Sequence, residues 1–326
     1  MNIKDIAELA GVSRATVSRY LNNGYVSADK KKKIHDVIKQ TGYVPSTQAQ
    51  MLRTKRTCLV GVIIPKINSE TVAKITSGIS QVLNENHYHM LVANTENSYE
   101  KELEYLKIFA NDRVDGVILL ASVLTKKHID LIKNMPVPVV VVGQETDVCS
   151  CIYHDNYYAS RALTEKLLKA GSHRPGFLGV IDADVATGAM RRQGFEKALR
   201  EGKLLKKDVS EKVCAFNEQS GYEKMREMLE EDYKPDGVIC ATDNIAAGAM
   251  RAIREAGLRI PDDVKIAAFG DTRLAALVSP AMTTVHFYYE KSGQEAGQMI
   301  MDMIRRPDDP VKKVLLEYEI VSRDSL

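Results

Sequence analysis

The segment at residues 3–24 decides the fold of the first part of the chain, and it reads IKDIAELAGVSRATVSRYLNNG. Apolar residues recur at helical spacing over Lys4–Ala10 and again over Arg14–Leu21. Between these stretches stand Gly11, which turns the chain at low steric cost, and Ser13, which is a good N-cap. The pattern predicts two short helices joined by a three-residue turn, a helix-turn-helix.

The second helix of such a motif enters the major groove, where its N-terminal residues face base edges. Arginine can bond guanine through two hydrogen bonds, and an alanine or threonine methyl can contact the thymine methyl. The residues predicted to face bases are Arg14, Ala15, Thr16, Ser18 and Arg19. Ser13, Asn22 and the Lys30–Lys33 run are better suited to phosphates, which position the protein without specifying sequence.

Charge is unevenly distributed along the chain. Residues 1–56 carry eleven Lys and Arg against four Asp and Glu, whereas the whole chain has a net charge of only +2. A third helix, predicted over Ala28–Thr41 between Ser27 as N-cap and Gly42, contributes four consecutive lysines. A basic segment on a mildly acidic remainder is typical of proteins that bind double-stranded DNA. The alternative is a small helical bundle with no role on DNA.

The rest of the chain alternates between short apolar strands and amphipathic helices. The predicted strands are Leu59–Ile64, His89–Ala93, Val117–Leu120, Val137–Val142, Gly176–Val180, Val213–Phe216, Gly237–Ala241 and Val264–Phe269. This alternation predicts an α/β class, with two doubly wound parallel-sheet lobes behind the helical head. We expect the chain to cross between the lobes near residues 153–158, 286–290 and 316–321.

The motifs in both parts resemble one family. Residues 3–19 resemble the head of the lactose/galactose-repressor (LacI/GalR) family of bacterial transcription regulators, and Tyr43-x-Pro45 with Ala49-x-x-Leu52 resembles its hinge. Body motifs such as Gly171-x-His173-Arg174 and Arg191-x-x-Gly194-Phe195 fit as well. The resemblance covers essentially the whole chain, and such bodies also resemble periplasmic sugar-binding proteins.

The resemblance implies a domain organisation and a homodimer on a near-palindromic operator. The expected domains are a DNA-binding head at 1–44, a hinge at 45–56 and an effector-binding and dimerisation body at 57–326. Within the body, lobe 1 is expected at about 57–155 plus 290–318, and lobe 2 at about 156–288 plus 319–326. On DNA the hinge would become a short helix, with Leu52 as an apolar wedge in the minor groove. Without the resemblance, Leu52 would be a buried linker residue.

Ligands of doubly wound folds bind at the carboxyl ends of strands and between domains. Pro65 and Asn68 follow the first strand, and Asn156 lies at a crossover. Arg191 and Phe216 match residues that contact the ligand in the resembling family. The alternatives are a surface ion pair for Arg191 and a core position for Phe216. Because an aromatic face beside polar groups suits a sugar, we expect a carbohydrate or sugar-phosphate effector.

Two acidic residues complete the predicted effector site. Asp243 contacts the ligand or caps the helix that begins near Ile245, and Asp271 follows the Val264–Phe269 strand. Relatives often carry an aspartate where this chain has Gly270, and some have asparagine where it has Thr242. Both departures leave the identity of the effector open.

Other functional classes are disfavoured by the sequence. The five cysteines show neither a disulfide framework nor a second pair of metal ligands, so we expect reduced cysteines, no metal and no cofactor. We find no nucleophile elbow or phosphate loop, which argues against an enzyme. Neither a membrane span nor a signal peptide is evident, so we expect a cytoplasmic protein. The alternative function is a sugar-binding protein without a transcriptional role.

Overall fold

A computed structural model describes residues 1–21, 24–43, 56–111, 114–204 and 209–326. The chain forms two compact units, Met1–Thr57 and Cys58–Leu326. Two predicted DNA contacts, Asn22 and Leu52, lie outside the described residues, as does most of the predicted hinge.

The described part of the first unit contains three helices around a small core. They are α1 (Ile3–Leu9), α2 (Arg14–Leu21) and α3 (Ala28–Thr41). The fully packed core residues are Ile6, Ala7, Ala10, Val17 and Ile34. The bounds of α2 and α3 agree with the sequence prediction, because the apolar spacing and the helix-breaking residues indicate the same helix ends.

The helix ends in this unit are determined by local hydrogen bonds. The Asn2 side chain accepts from the backbone N–H of Asp5, whose carboxylate in turn accepts from the Asn2 N–H, a capping box that we did not predict. Gly42 ends α3 with a left-handed φ of 62°, as its position suggested. The prediction for Ser27 was only half right, because it precedes α3 but its side chain forms no capping bond.

The second unit contains two six-stranded sheets. The first sheet comprises β1 (Leu59–Ile64), β2 (His89–Asn94), β3 (Gly116–Leu120), β4 (Val139–Val142), β5 (Ser150–His154) and β11 (Lys313–Leu316). Its order is β11-β5-β4-β3-β1-β2, and these neighbours are paired in parallel. Its helices are α4 (Glu70–Glu85), α5 (Tyr99–Asn111), α6 (Lys126–Lys133) and α12 (Tyr289–Arg305). Alternate strand residues such as Val62 and Ile63 pack into clusters with α4 and α12 and with α5 and α6, respectively.

The second sheet is built on the same plan. It comprises β6 (Pro175–Gly179), β7 (Ser210–Val213), β8 (Gly237–Cys240), β9 (Lys265–Phe269), β10 (Thr283–Phe287) and β12 (Tyr318–Val321). Its order is β12-β10-β9-β8-β6-β7, with only β12 antiparallel to its neighbour. Its helices are α7 (Asn156–Lys169), α8 (Arg191–Glu201), α9 (Glu218–Leu229), α10 (Asp243–Glu255) and α11 (Arg273–Leu277), and a π-helix (Val185–Met190) precedes α8.

The chain passes between the sheets three times. It crosses after β5 at Asp155, between β10 and α12 at Tyr288, and between β11 and β12 at Glu317. Several helices approach their neighbours closely at glycine, and a Cβ placed on Gly248 would lie 1.8 Å from the carbonyl oxygen of Glu218. The two-lobed α/β class is confirmed by this arrangement.

Some elements differ from the sequence prediction. The strand predicted over Val213–Phe216 is wrong, because β7 ends at Val213 and the following residues form a loop. We also missed several short or polar elements, among them β5, α6, the π-helix and the strands after residue 280. Of the helices in the described part of the chain, none is long and apolar enough to cross a membrane.

Candidate functional site

The outward face of α2 carries the residues predicted to contact DNA. Arg14, Ala15 and Arg19 are exposed, while Val17 on the opposite face is fully buried. Thr16 and Ser18 are half-buried beside them. The helix therefore presents two guanidinium groups and a methyl group to solvent along one face.

The N-terminus of α2 is organised by Ser13. Its hydroxyl oxygen accepts from the backbone N–H of Thr16 at 3.2 Å, and the two hydroxyl groups lie 2.9 Å apart. Ser13 is exposed, so its hydroxyl and the helix N-terminus are accessible to an anion such as a phosphate. In the same unit, the Tyr20 hydroxyl joins α2 to His35 of α3 at 3.2 Å, a contact that helical spacing does not reveal.

A cavity of about 340 Å³ lies between the two sheets of the second unit. Residues from both sheets line it, at the carboxyl ends of their strands. Of the predicted effector contacts, those that line the cavity are Pro65, Asn68, Asn156, Arg191, Phe216 and Asp243. The structure therefore brings together residues from five separate segments of the sequence.

Arg191 is the most unusual residue in this cavity. Its side chain is buried, and its Nε donates to Asn156 Oδ1 at 2.8 Å while Nη1 donates to the carbonyl oxygen of Ala241. The guanidinium carbon lies 4.4 Å from the ring centre of Phe269 and 5.3 Å from that of Phe287. Burial lowers the pKa of Arg191. Aromatic rings and neutral acceptors contact this charge, and the carboxylates of Asp184 and Asp243 also act on it. Arg191 is therefore not the partner in a surface ion pair, which was the alternative that the sequence left open.

Asn156 connects the first crossing to Arg191. It is the first residue of α7, it is buried, and its Nδ2 donates to the carbonyl oxygen of His154 at 3.1 Å. With its Oδ1 bound to Arg191, both ends of the amide are used by the protein. Asn156 therefore orients the guanidinium within the cavity.

Asp243 is buried and fully engaged in hydrogen bonds. Oδ2 accepts from the backbone N–H and the hydroxyl of Thr272, both at 2.8 Å, and Oδ1 accepts from the Thr284 hydroxyl at 2.6 Å. Burial raises the pKa of Asp243, against the effect of these bonds. The predicted capping role was wrong, because Thr242 caps α10 by accepting from the Ile245 N–H.

The departure at Gly270 is explained by Asp243. Gly270 has a φ of 139°, and a Cβ there would lie 3.0 Å from Asp243 Oδ2. An aspartate at this position would place a second carboxylate against the first. The loop after β9 is instead built around Asp243.

Asp271 faces away from the cavity and is not among the residues that line it. Its backbone is left-handed, with a φ of 45°, and its carboxylate accepts from Arg323 at 2.6 Å and lies 2.9 Å from Nδ1 of His286. Burial raises the pKa of Asp271, but the bonds from Arg323 and His286 outweigh it and hold the pKa below its ordinary value. This placement argues against direct ligand contact.

The remaining predicted positions lie at the rim and wall of the cavity. Pro65 is half-buried directly after β1, whereas Asn68 is exposed. Phe216 lies in the loop after β7 and packs against the core from a half-buried position, so its ring contacts both the core and the cavity.

Sequence analysis missed several cavity residues. Asp184 caps the π-helix by accepting from the Thr187 N–H, and it also accepts from Gln144 Nε2, both at 2.9 Å. Burial raises the pKa of Asp184. His154 and Tyr289 line the cavity as well. His154 is the last residue of β5, a strand that we did not predict, so a rule based on predicted strand ends could not have found it.

Metal and thiol chemistry have little basis in this unit. Across the described residues, no group of three His, Cys, Asp or Glu side chains is arranged to hold a metal ion. The cysteines are free thiols. Burial raises the pKa of Cys149 to about 12 and that of Cys214 to about 11, which makes both unreactive at neutral pH.

Comparison with known proteins gives matches to both units. Residues 2–46 match the family model described as bacterial regulatory proteins, lacI family, and residues 164–326 match a periplasmic binding protein-like domain. The sucrose operon repressor of Staphylococcus xylosus is 33% identical over 304 residues, which cover 93% of this chain and 94% of that protein.

Two solved structures are similar over the full length of the chain. A complex of the transcriptional regulator CelR with cellobiose has a TM-score of 0.76 and 28% identity, covering 100% of both chains. A lac repressor dimer bound to operator and the anti-inducer ONPF has a TM-score of 0.91, covering 100% of this chain and 98% of that one, and at 24% identity it shows the fold. The chain belongs to the lacI family of bacterial regulatory proteins, and it is a DNA-binding transcription regulator with an effector-binding body rather than an enzyme.

Proposed function

We propose that this regulator is a homodimeric repressor that binds a near-palindromic operator and responds to a carbohydrate in the cavity between its two sheets. The observation that carries the proposal is Arg191, a buried cation that lines a cavity and is held by neutral oxygen acceptors and aromatic rings. Burial of a charge is costly, and the carboxylates of Asp184 and Asp243 act on Arg191 without forming a direct ion pair with it. We infer that a polar ligand in the cavity is a further partner of this charge.

On DNA, α2 would read the major groove. Arg14 and Arg19 are the candidates for guanine contacts, with Ala15, Thr16 and Ser18 beside them. The proposed phosphate contacts are Ser13, Asn22 and the lysines at the start of α3, and Leu52 is proposed as the minor-groove wedge. Both arginines are exposed, which supports this assignment, because a side chain that contacts a base edge must extend from the protein surface into the groove.

The cavity composition supports a carbohydrate effector. The ring of Phe216 offers an apolar face, while Asn68, Asn156 and Arg191 offer polar groups around it. A volume of about 340 Å³ is in the range that holds a small ligand. Two similar proteins named above concern sucrose and cellobiose, which is consistent with a sugar here.

Contacts between the two lobes of the body can couple effector binding to the arrangement of the lobes. Gln144, from the first lobe, donates to Asp184 and accepts from the Ala186 N–H of the second lobe at 3.2 Å. In a second contact between the lobes, Glu70 of the first lobe accepts from the backbone N–H of Arg273 of the second lobe at 3.0 Å. A ligand that binds one arrangement of the lobes more tightly than the other shifts the equilibrium between them.

We also propose the domain boundaries 1–44, 45–56 and 57–326, and a dimer formed by the body. In the first lobe, β2 is an edge strand whose Leu91 and Val92 side chains are 45% and 41% exposed. Apolar side chains on an open edge favour pairing with a second copy. Sedimentation of the wild type and of Leu91→Asp tests this, and a monomeric wild type would contradict it.

The proposed function is tested by operator binding with and without sugars. A genomic fragment selected by the purified protein serves as operator, and the fraction bound is measured against salt and against neutral mono- and disaccharides. We expect affinity to fall steeply with salt, because phosphate contacts release counterions, and to change with at least one sugar. A flat salt response would refute the DNA assignment, and indifference to all sugars would refute the carbohydrate assignment.

A further inference from the structure

One ring nitrogen of His154 has no hydrogen-bond partner in the part of the chain that the structure describes. The side chain is 8% exposed, it lines the cavity, and its Nε2 is buried without a hydrogen bond among the described residues. The ring is held in place by aromatic neighbours, with centroid distances of 4.9 Å to Phe287 and 5.4 Å to Tyr289. A buried polar atom left unsatisfied costs roughly 1–3 kcal/mol, so its retention calls for an explanation.

The neighbours of His154 determine which role Nε2 can play. The ring forms a hydrogen bond to the backbone of Tyr288, and this bond raises its pKa, as donation to a carbonyl oxygen does. Burial and the nearby Arg191 charge act more strongly and lower the pKa to about 3. The imidazole is therefore neutral at physiological pH. Because Nε2 has no partner among the described residues, we assign the bond to Tyr288, and with it the proton, to Nδ1. In this tautomer Nε2 carries a lone pair and can only accept.

The charges around the cavity restrict the ligand further. Its three buried charged side chains are Arg191, Asp184 and Asp243, one cation against two acids. At the rim, Lys66 and Glu70 offset each other. The cavity has no surplus of positive charge to hold a phosphate, whereas hydroxyl groups can both accept from Arg191 and donate to an imidazole.

We propose that His154 is a specificity-determining residue whose Nε2 accepts a hydrogen bond from a hydroxyl group of a neutral polyhydroxy effector. This inference rests on the proposed carbohydrate response and names the class of sugar: unphosphorylated, with a hydroxyl donor placed beside Arg191. Asn156 donates to the carbonyl oxygen of His154 and accepts from Arg191. The amide of Asn156 therefore links the residue that offers the acceptor, His154, to the residue that offers the donor, Arg191.

The test replaces His154 with Phe in the full-length protein. Phenylalanine keeps the ring packing on Phe287 and Tyr289 but removes the orphaned acceptor. Without ligand, we expect the melting temperature of the body to stay the same or to rise by a few degrees, because the unsatisfied atom is gone. A residue with a purely structural role would give the opposite sign, a lower melting temperature.

Ligand binding is then measured by calorimetry with sucrose, cellobiose, glucose and glucose 6-phosphate as probes. We expect a neutral sugar to bind the wild type, and His154→Phe to weaken that sugar about tenfold, the size of one hydrogen bond. His154→Gln, which retains an acceptor, should recover part of the loss. His173→Phe, at an exposed histidine, is the matched control and should bind like the wild type.

The outcomes separate the two proposals. If no probe binds the wild type, the carbohydrate proposal fails and this inference fails with it. If a neutral sugar binds wild type and His154→Phe equally, the inference alone is overturned. Tighter binding of glucose 6-phosphate than of glucose would also overturn it. A change in the Nε2 nitrogen chemical shift of His154 on adding the bound sugar would support it directly.

Discussion

The helix-turn-helix unit and the cavity of the body place their functional side chains in opposite environments. On α2, Arg14 and Arg19 are exposed, and the surrounding unit only has to hold the helix in place. In the cavity, Arg191 is buried and depends on Asn156 for its orientation. Exposed contacts can change with little effect on folding, whereas buried contacts are coupled to the packing around them. The following substitutions test this difference.

Arg191→Met should have the largest effect on effector binding. It removes a charged donor from the cavity at similar length, so we expect effector affinity to fall by about 2–3 kcal/mol, roughly 30- to 150-fold. Operator binding without effector should remain. Arg192→Met is the matched control, because Arg192 is paired with Asp182 and Glu196 at the surface and should change neither property. Equal effects of the two substitutions would contradict the assignment of Arg191.

Ile34→Ala should separate the stability of the two units. Ile34 is fully buried in a small core, with five buried residues among those described, and truncation of such a side chain costs about 2–5 kcal/mol. We expect operator binding to be lost while the body keeps its melting temperature and effector affinity. The reciprocal variant Ile118→Ala, in the first sheet, should lower the melting temperature of the body. A single shared transition shifted by both variants would show that the units unfold together.

Arg19→Ala should weaken specific operator binding by about 1–3 kcal/mol if the side chain bonds a base. Effector affinity and thermal stability should not change, because Arg19 is exposed. The measurement is the ratio of affinities for operator and for random DNA of equal length. An equal loss on both would assign Arg19 to a phosphate instead.

Asp271→Asn should have the smallest effect, and it should depend on pH. Because the pKa of Asp271 is lowered in the folded protein, its ionised form stabilises the fold above its ordinary pKa near 4, and this is lost as pH falls through the lowered value. We expect the variant to be about 1–2 kcal/mol less stable at pH 7, with the difference shrinking below pH 4. Asp262→Asn, at an exposed surface pair, is the control and should show no such trend. A difference that is independent of pH would contradict this account.

The sequence predicted the exposed site more completely than the buried one. Arg14 and Arg19 could be found from helical spacing, because α2 alone determines where they point. The family resemblance assigned Arg191 and Phe216 to the effector site, but it did not reveal which residues surround them. Asp184, Gln144 and His154 come from loops and strand ends of both lobes, so their proximity depends on tertiary structure. Asp271 was misleading because a left-handed backbone turns its carboxylate towards Arg323.

The three crossings of the chain at Asp155, Tyr288 and Glu317 have a mechanical consequence. Two lobes joined by one connection can rotate and translate relative to each other in many directions. Three short connections side by side leave mainly a hinge rotation about the line that they define. Closure of the cavity would then follow nearly the same path each time, and little conformational entropy would be lost in finding it. Lengthening the one-residue connection at Glu317 with glycines would add freedom and should broaden the ligand response without touching a ligand contact.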